Sequence, residues 1–193
     1  MSAQRYRTLV ADPPWRYTKQ PTELRSGGRG ASAEHHYCTA TTDELALIDV
    51  AGLAADDAHL YCWVTNPILT RQRQAISGSL DAIDLVRAWG FAPRALLTWV
   101  KTGPPGMGFY FRGNTEHIIF ATRGQAGIEA ASRVRNYFEA PRGAHSAKPD
   151  AFLDMVERIS PGPYLELFAR RARFGWDYWG NESLGTAAMA GEL

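Results

Sequence analysis

Thr8-Leu9-Val10-Ala11-Asp12-Pro13-Pro14-Trp15 is the stretch on which the reading of this chain turns. Four apolar or β-favouring residues form a short strand that runs straight into two consecutive prolines. Proline has no backbone N–H and fixes its own φ, so the carbonyls of Asp12 and Pro13 are held stiffly and are available as acceptors. A carboxylate, a rigid carbonyl and a large aromatic face then converge at one strand end. That set suits a flat ring bearing an exocyclic amino group. The tetrapeptide also reads as a plain turn, because Asp-Pro and Pro-Pro are ordinary punctuation after a strand.

Outward from this strand the chain alternates between element types. Residues 16–40 form a long loop rich in Gly, Ser, Arg and Thr, centred on Gly27-Gly28-Arg29-Gly30, and loops of that length are often functional. Thr41-x-x-Glu44 is a capping-box signal opening a short helix with Leu45, Leu47 and Ile48. His59 to Val64 reads as a buried strand closed by the turn signal Asn66-Pro67. A helix is predicted from about Ser79 to Trp89, with Leu80, Ile83, Val86 and Trp89 as its apolar stripe and Gly90 as its stop. Ala95–Val100 and His117–Ala121 are further strands, separated by a Gly/Pro-rich loop from Thr102 to Gly113. The stretch Gly124–Gly143 shows no clear period. Pro149 is expected as the first residue of a helix bearing Phe152, Leu153, Val156 and Ile159. Strands are expected at Tyr164–Phe168 and Trp176–Trp179.

Alternating strands and helices predict an α/β fold with a mostly parallel central sheet, in a single domain over residues 1–193. In such sheets ligands bind beyond the carboxyl ends of the strands. Asp12, Asn66, Lys101 and Arg170 all follow strands and are expected on that shared edge.

Bulk properties narrow the classes. The chain has 193 residues, 45% of them hydrophobic, and a formal net charge of +1. That balance excludes a strongly basic nucleic-acid coat and leaves binding to local arginine clusters. Candidates are Arg25 with Arg29, Arg71 with Arg73, Arg133 with Arg135, and Arg170, Arg171 and Arg173, each of which also reads as solvated surface. Cys38 and Cys62 make no paired motif or disulfide framework. No apolar run has the length of a membrane span, so a cytoplasmic protein without membrane attachment is expected. His35-His36-Tyr37-Cys38 has no second ligand group at matching spacing, and no metal site is expected.

Ten collinear segments carry a family resemblance. They are ADPPW (Ala11–Trp15), HHYCTATTDEL (His35–Leu45), DDAHLYCWVTNP (Asp56–Pro67), AWGF (Ala88–Phe91), LTWVKTG (Leu97–Gly103), TEHIIFATRG (Thr115–Gly124), HSAKPD (His145–Asp150), ERISPG (Glu157–Gly162), LELFAR (Leu165–Arg170) and GWDYWGNE (Gly175–Glu182). In this order they resemble the adenine-N6 methyltransferase family typified by the catalytic subunit of the eukaryotic mRNA adenosine methyltransferase, the MT-A family of DPPW type. The small bacterial and phage members look most similar. The resemblance implies a Rossmann-like S-adenosylmethionine-dependent methyltransferase fold in permuted order, with the catalytic strand before the cofactor strand. Only 11 residues follow Glu182, so one of the usual seven strands is expected to be missing or supplied differently.

By this resemblance, Asp12 and the Pro13 carbonyl accept from the target N6 amine, Pro14 stiffens the turn and Trp15 packs against the base. Asn181 and Glu182 match the pair that holds the cofactor's ribose hydroxyls, while Glu166, Phe168 and Arg170 fall on the segment that cradles the adenosine and methionine parts. Ser146 and Lys148 lie in the segment placed beside the methionine carboxylate, although Lys148 also reads as a simple helix-approach residue. Tyr17, Tyr37, Asn66, Arg112 and Asn114 are expected to contact substrate. The chain departs from the mRNA enzyme at Thr115-Glu116-His117, where that enzyme has Lys before its Glu-His pair, and after Arg170, where its His-Asn is absent. Residues 68–78 look like an insertion.

The implied activity is methylation of adenine N6 in DNA, with S-adenosylmethionine as cofactor and the base flipped or unpaired. Adenosine methylation in RNA is the alternative within enzymes. A catalytically silent nucleic-acid-binding subunit is the alternative outside them, and the presence of Asp12, Asn181 and Glu182 speaks against it. No target-recognition domain of ordinary size is visible, so specificity is expected from the loops, a homodimer or a heterologous partner.

Overall fold

The computed structural model describes residues 4–17, 39–70, 80–106, 110–129, 133–143 and 147–180. Seven strands form one sheet in the order β5-β3-β4-β2-β1-β6-β7. They are β1 (Tyr6–Ala11), β2 (Ala54–Val64), β3 (Ala92–Thr102), β4 (Thr115–Arg123), β5 (Tyr137–Pro141), β6 (Tyr164–Leu167) and β7 (Trp176–Trp179). Among the described residues five helices accompany them: α1 (Thr42–Ala46), α2 (Val50–Leu53), α3 (Asn66–Leu69), α4 (Ala82–Ala88) and α5 (Asp150–Ile159). Among the described residues no helix is long and apolar enough to cross a membrane.

The sheet is mostly parallel. β1 pairs in parallel with β2 and β6, β6 with β7, and β3 with β5, whereas β4 is antiparallel to both β2 and β3. β4 reverses because the connection from β3 closes on itself: Lys101 N–H donates to the Asn114 carbonyl at 2.7 Å and Gly106 N–H to Gly113 at 3.3 Å. β1 lies inside the sheet, with β2 on one side and the late strand β6 on the other. This is the switch point at which an open α/β sheet leaves a crevice.

Strand pattern follows burial. The run from Ala58 to Val64 is buried throughout, as expected of a central strand covered on both faces. One face packs Leu9, Ala11, Leu60 and Cys62 against α1, α2 and α4, and the Trp89 indole N–H donates to the Leu45 carbonyl at 3.0 Å. The other face packs Val10, Tyr61, Trp63, Trp99 and Phe120 against Phe152, Leu153 and Val156 of α5. Phe152 meets the Trp63 ring edge-on at 4.8 Å between centroids, in the range where aromatic pairs add about 0.5–1.5 kcal/mol beyond area burial.

Several sequence expectations need correction. All seven strands are present, because β5 lies in the stretch where no period was visible. Asn66-Pro67 opens α3 rather than a turn, proline being well suited to the first turn of a helix. α4 begins at Ala82, with Asp81 accepting from the Asp84 N–H as its cap, and it buries Leu85 in place of Ile83. Leu47 is 85% exposed because α1 ends before it, although the Thr41–Glu44 capping box is present. Pro149 is the N-cap of α5. β6 stops at Leu167, and Phe168 turns out of the strand at φ 63°.

Candidate active site

A cleft of about 160 Å³ opens at the carboxyl end of β1. It is lined by the whole tetrapeptide Asp12-Pro13-Pro14-Trp15, by Tyr17, Thr39, Trp63 and Thr65, and by the charged groups Glu116, Lys148 and Arg170. Residues more than 150 positions apart in the chain therefore share one wall.

The tetrapeptide is held from both sides. The Pro13 carbonyl accepts the Trp15 N–H at 2.8 Å, closing a tight turn, and the Pro14 carbonyl accepts from Ala40 at 2.8 Å. The Pro13 carbonyl is thus not wholly free, but a carbonyl has two lone pairs and one remains. Trp15 is only 5% exposed, and its indole N–H donates to the Trp63 carbonyl at 3.0 Å. The Trp15 ring is committed to the core and presents only part of itself to the cleft. Tyr17 shares a 3.0 Å hydrogen bond with the Thr65 hydroxyl, and burial raises its phenol above the usual range.

Charges form a chain across the cleft floor. The Lys148 ammonium donates to Asp12 Oδ1 at 2.9 Å and reaches Glu116 Oε2 at 3.3 Å. Lys101 pairs with the other oxygen of Glu116, and Arg170 lies 4.0 Å from Asp12 Oδ2. Lys148 also sits 5.0 Å above the Trp63 ring, and Lys101 4.8 Å above Trp99. Burial alone would lower the Lys148 pKa, but Asp12 and Glu116 outweigh it and hold the ammonium above its ordinary value. For Glu116 burial pushes upward, and the two lysines outweigh it, leaving the carboxyl below the usual range. Both groups are therefore charged, and each is satisfied by the other.

Glu166 is different. In the parallel register it pairs with Val10, so it lies on the face of the sheet that α5 covers, the same face as Asp12. It makes no hydrogen bond or ion pair among the described residues, and burial, followed by the Asp12 charge, pushes it up to about 7. An unpaired half-buried carboxylate of this kind fits a cationic ligand. A bound sulfonium or ammonium would supply the missing counter-charge.

The expected residues separate into groups. Asp12, Pro13, Pro14, Trp15, Tyr17, Lys148 and Arg170 line the cleft. Ser146, Tyr37, Asn181 and Glu182 lie outside the described residues, as do Phe109, Cys38 and Arg71 to Arg73. Phe168 packs edge-on against Trp179 at 5.4 Å. Arg112 is exposed on the β3–β4 connection, and Asn114 at its foot has a buried Oδ1 without a hydrogen-bond partner among the described residues. Asn66 does not line the cleft. Its amide nitrogen donates to Thr115 Oγ1 at 3.0 Å, and its Oδ1 accepts from His117 Nε2 at 2.7 Å. His117 then accepts the Thr98 hydroxyl through Nδ1 at 3.1 Å, and burial lowers its pKa despite Glu116. Asn66, at the start of α3, thereby ties that helix to β4. Lys148, expected beside a ligand carboxylate, is held here by the two protein carboxylates Asp12 and Glu116.

Glu116 and Lys101 complete the site; Lys101 was expected at this edge, whereas Glu116 had been given no role from the sequence. The available signal was a carboxylate inside a strand that otherwise reads as buried, where an ionised side chain requires a partner.

The family model for MT-A70 matches residues 6–182, spanning the cleft-forming strand at one end and β7 at the other. The chain belongs to the MT-A70 family. Among similar proteins is the type II methyltransferase M.MunI of Mycoplasma sp, 31% identical, with 93% of this chain aligned to 78% of that protein. The N6-methyladenosine RNA methyltransferase MTA1 of Cryphonectria parasitica is 30% identical over 91% of this chain but only 51% of its own length. The N(6)-adenosine-methyltransferase catalytic subunit METTL3 of Homo sapiens is 25% identical, and the match covers 92% of this chain and 28% of METTL3. The mixed sheet and its central switch point are consistent with the Rossmann-like methyltransferase architecture of an MT-A70 protein.

Proposed function

We propose that this MT-A70 protein transfers the methyl group of S-adenosylmethionine to the N6 amine of adenine in DNA, with residues 1–193 acting as one methyltransferase domain. The observation that carries the reading is the Asp12 carboxylate, fixed by Lys148 at the floor of a cleft walled by Trp15, Tyr17 and Trp63. An aromatic amine donates its lone pair into its ring, and acceptors on its two hydrogens favour localising that pair on nitrogen. Asp12 accepts one hydrogen. The remaining lone pair of the Pro13 carbonyl accepts the other.

When bound, S-adenosylmethionine supplies an electrophilic methyl on a sulfonium leaving group. The chain's own part is to position the amine in line and to preorganise its acceptors, so no reorganisation is needed during transfer. Lys148 holds Asp12 in one rotamer while leaving most of the carboxylate's acceptor sites open. Asp12 would also take the proton that the methylated amine sheds. Glu166, Arg170 and Lys148 would hold the cofactor at the same edge, with Ser146, Phe168, Asn181 and Glu182 assigned to it by family resemblance.

DNA is preferred because the type II methyltransferase M.MunI is matched over most of its length, whereas the RNA methyltransferase MTA1 and the adenosine methyltransferase METTL3 are matched over about half of theirs and 28% respectively. A second copy or a heterologous partner subunit would extend the recognition surface. Labelled-methyl transfer across duplex DNA, single-stranded DNA and RNA, read by nucleoside mass spectrometry, tests the assignment. N6-methyladenine formed on DNA is expected. Turnover on RNA alone would replace the substrate while keeping the chemistry.

A further inference from the structure

Tyr110 and Phe111 are adjacent in the chain and stand 91% and 88% exposed, and Arg112 beside them makes no hydrogen bond or ion pair among the described residues. They lie on the β3–β4 connection. Its foot is anchored by the Lys101–Asn114 backbone bond and by Arg142 Nη2, which donates to the Gly113 carbonyl at 2.8 Å. The strand ends leaving this foot carry Lys101 and Glu116, the outer members of the charge chain in the cleft. Tyr110 is six positions from Glu116, so the aromatic pair lies within about 20 Å of the cleft floor even if the chain is fully extended. That is the length of a few stacked nucleotides.

Two large rings kept in water at a site's edge are a liability unless something covers them. The charges point to what does. Arg112 and Arg142 are the charged side chains of this lip, and Glu116 below is already paired with two lysines. The foot also holds the buried, unpartnered Oδ1 of Asn114, an acceptor without a donor. Flat π-faces beside unsatisfied guanidinium match a chain of bases and phosphates. Any base can stack on an aromatic ring, so this contact needs no sequence preference.

We propose that Tyr110, Phe111 and Arg112 form a stacking and phosphate-binding lip for the nucleotides flanking the target adenine. The proposal rests on the nucleic-acid methyltransferase reading given above and adds where the strand outside the cleft is held. The lip engages a strand whose bases are unstacked near the target, so single-stranded or locally opened DNA is its occupant.

Fluorescence anisotropy with a labelled single-stranded oligonucleotide containing one adenine tests it, alongside calorimetric binding of S-adenosylmethionine. The Tyr110→Ala/Phe111→Ala double variant is expected to weaken oligonucleotide binding about tenfold or more, with cofactor affinity and thermal midpoint unchanged. Arg112→Ala is expected to reduce the salt slope of log Kd by about 0.7, one phosphate contact on a single strand. Tyr110→Phe/Phe111→Trp should retain wild-type affinity. Unchanged oligonucleotide affinity in the double variant, while wild type binds and methylates DNA, overturns the lip alone. So does a loss of affinity that tracks a dimer-to-monomer change in sedimentation, because the rings would then be a protein contact. Wild-type protein that neither binds nor methylates any oligonucleotide overturns the functional reading itself.

Discussion

Lys148 and Asp12 form a 2.9 Å ion pair at the end of β1, with both side chains about one-sixth exposed. The carboxylate that the resemblance places at the reacting amine is therefore already neutralised and oriented before any ligand arrives. Its rotamer is set by the protein. The consequences reach beyond the cleft, because Lys148 also neutralises Glu116.

Replacing Lys148 with Met keeps the volume of the side chain and removes the charge that faces two carboxylates. Loss of one partner of a buried pair costs about 3 kcal/mol, most of it from the charges left behind. Urea titration at pH 8 should show that drop. The deficit should shrink below about pH 4.5, where carboxyls are protonated in the unfolded chain. An unchanged midpoint at pH 8 would mean that the pair contributes nothing to the fold.

Glu166 gives the opposite pH signature. Its folded pKa is raised to about 7 by burial and by Asp12, so the fold favours the protonated form. Stability from this group is fully present below the unfolded value and is lost as pH rises through 7. Glu166→Gln should therefore stabilise the cofactor-free protein by up to about 3 kcal/mol at pH 8, with little effect at pH 4. Equal effects at both pH values would refute an unpaired carboxylate here.

Asn66→Ala separates a structural clamp from a substrate contact. Removing the amide strands His117 and Thr115, an effect of about 1–3 kcal/mol on stability. Thermal denaturation should report it. A variant with wild-type stability and only a raised KM would restore the substrate role that the sequence had indicated.

In the middle of β2, His59 is buried with Nδ1 2.8 Å from Ser160 Oγ, which also lies 2.7 Å from the Tyr61 hydroxyl. Burial, then Arg7, lowers the His59 pKa. The unfolded chain thus takes up this proton more readily, and stability falls as pH drops below about 6.5. His59→Leu should flatten that part of the pH–stability curve. A curve of unchanged slope between pH 5 and 6.5 would assign the acid sensitivity elsewhere.

The parts of this molecule that could be read from the sequence are those governed by local rules. The Thr41–Glu44 box, the Leu60–Val64 run and the amphipathic stretch after Pro149 each fix their element by caps, continuous apolarity or a 3.6 period. β5 was hidden because Tyr137-Phe138-Glu139-Ala140-Pro141 is an edge strand, with only Ala140 buried and a proline at its end. The tetrapeptide at the cleft was legible because proline chemistry acts on its immediate neighbours. The Glu116–Lys101 pair was not, since it depends on a strand pairing that brings residues 15 positions apart into contact. The hydrogen bonds of Asn66 to His117 and Thr115 were hidden for the same reason, since they form only where α3 meets the start of β4.

The central claim is that Asp12 accepts the target amine. Its most direct test is single-turnover transfer of a labelled methyl group to an adenine-containing DNA oligonucleotide by wild type and Asp12→Ala, read as N6-methyladenine by nucleoside mass spectrometry. The account predicts product with wild type and a fall of about a hundredfold or more in the variant, with S-adenosylmethionine binding retained by calorimetry. Product formed at the wild-type rate by Asp12→Ala would contradict it.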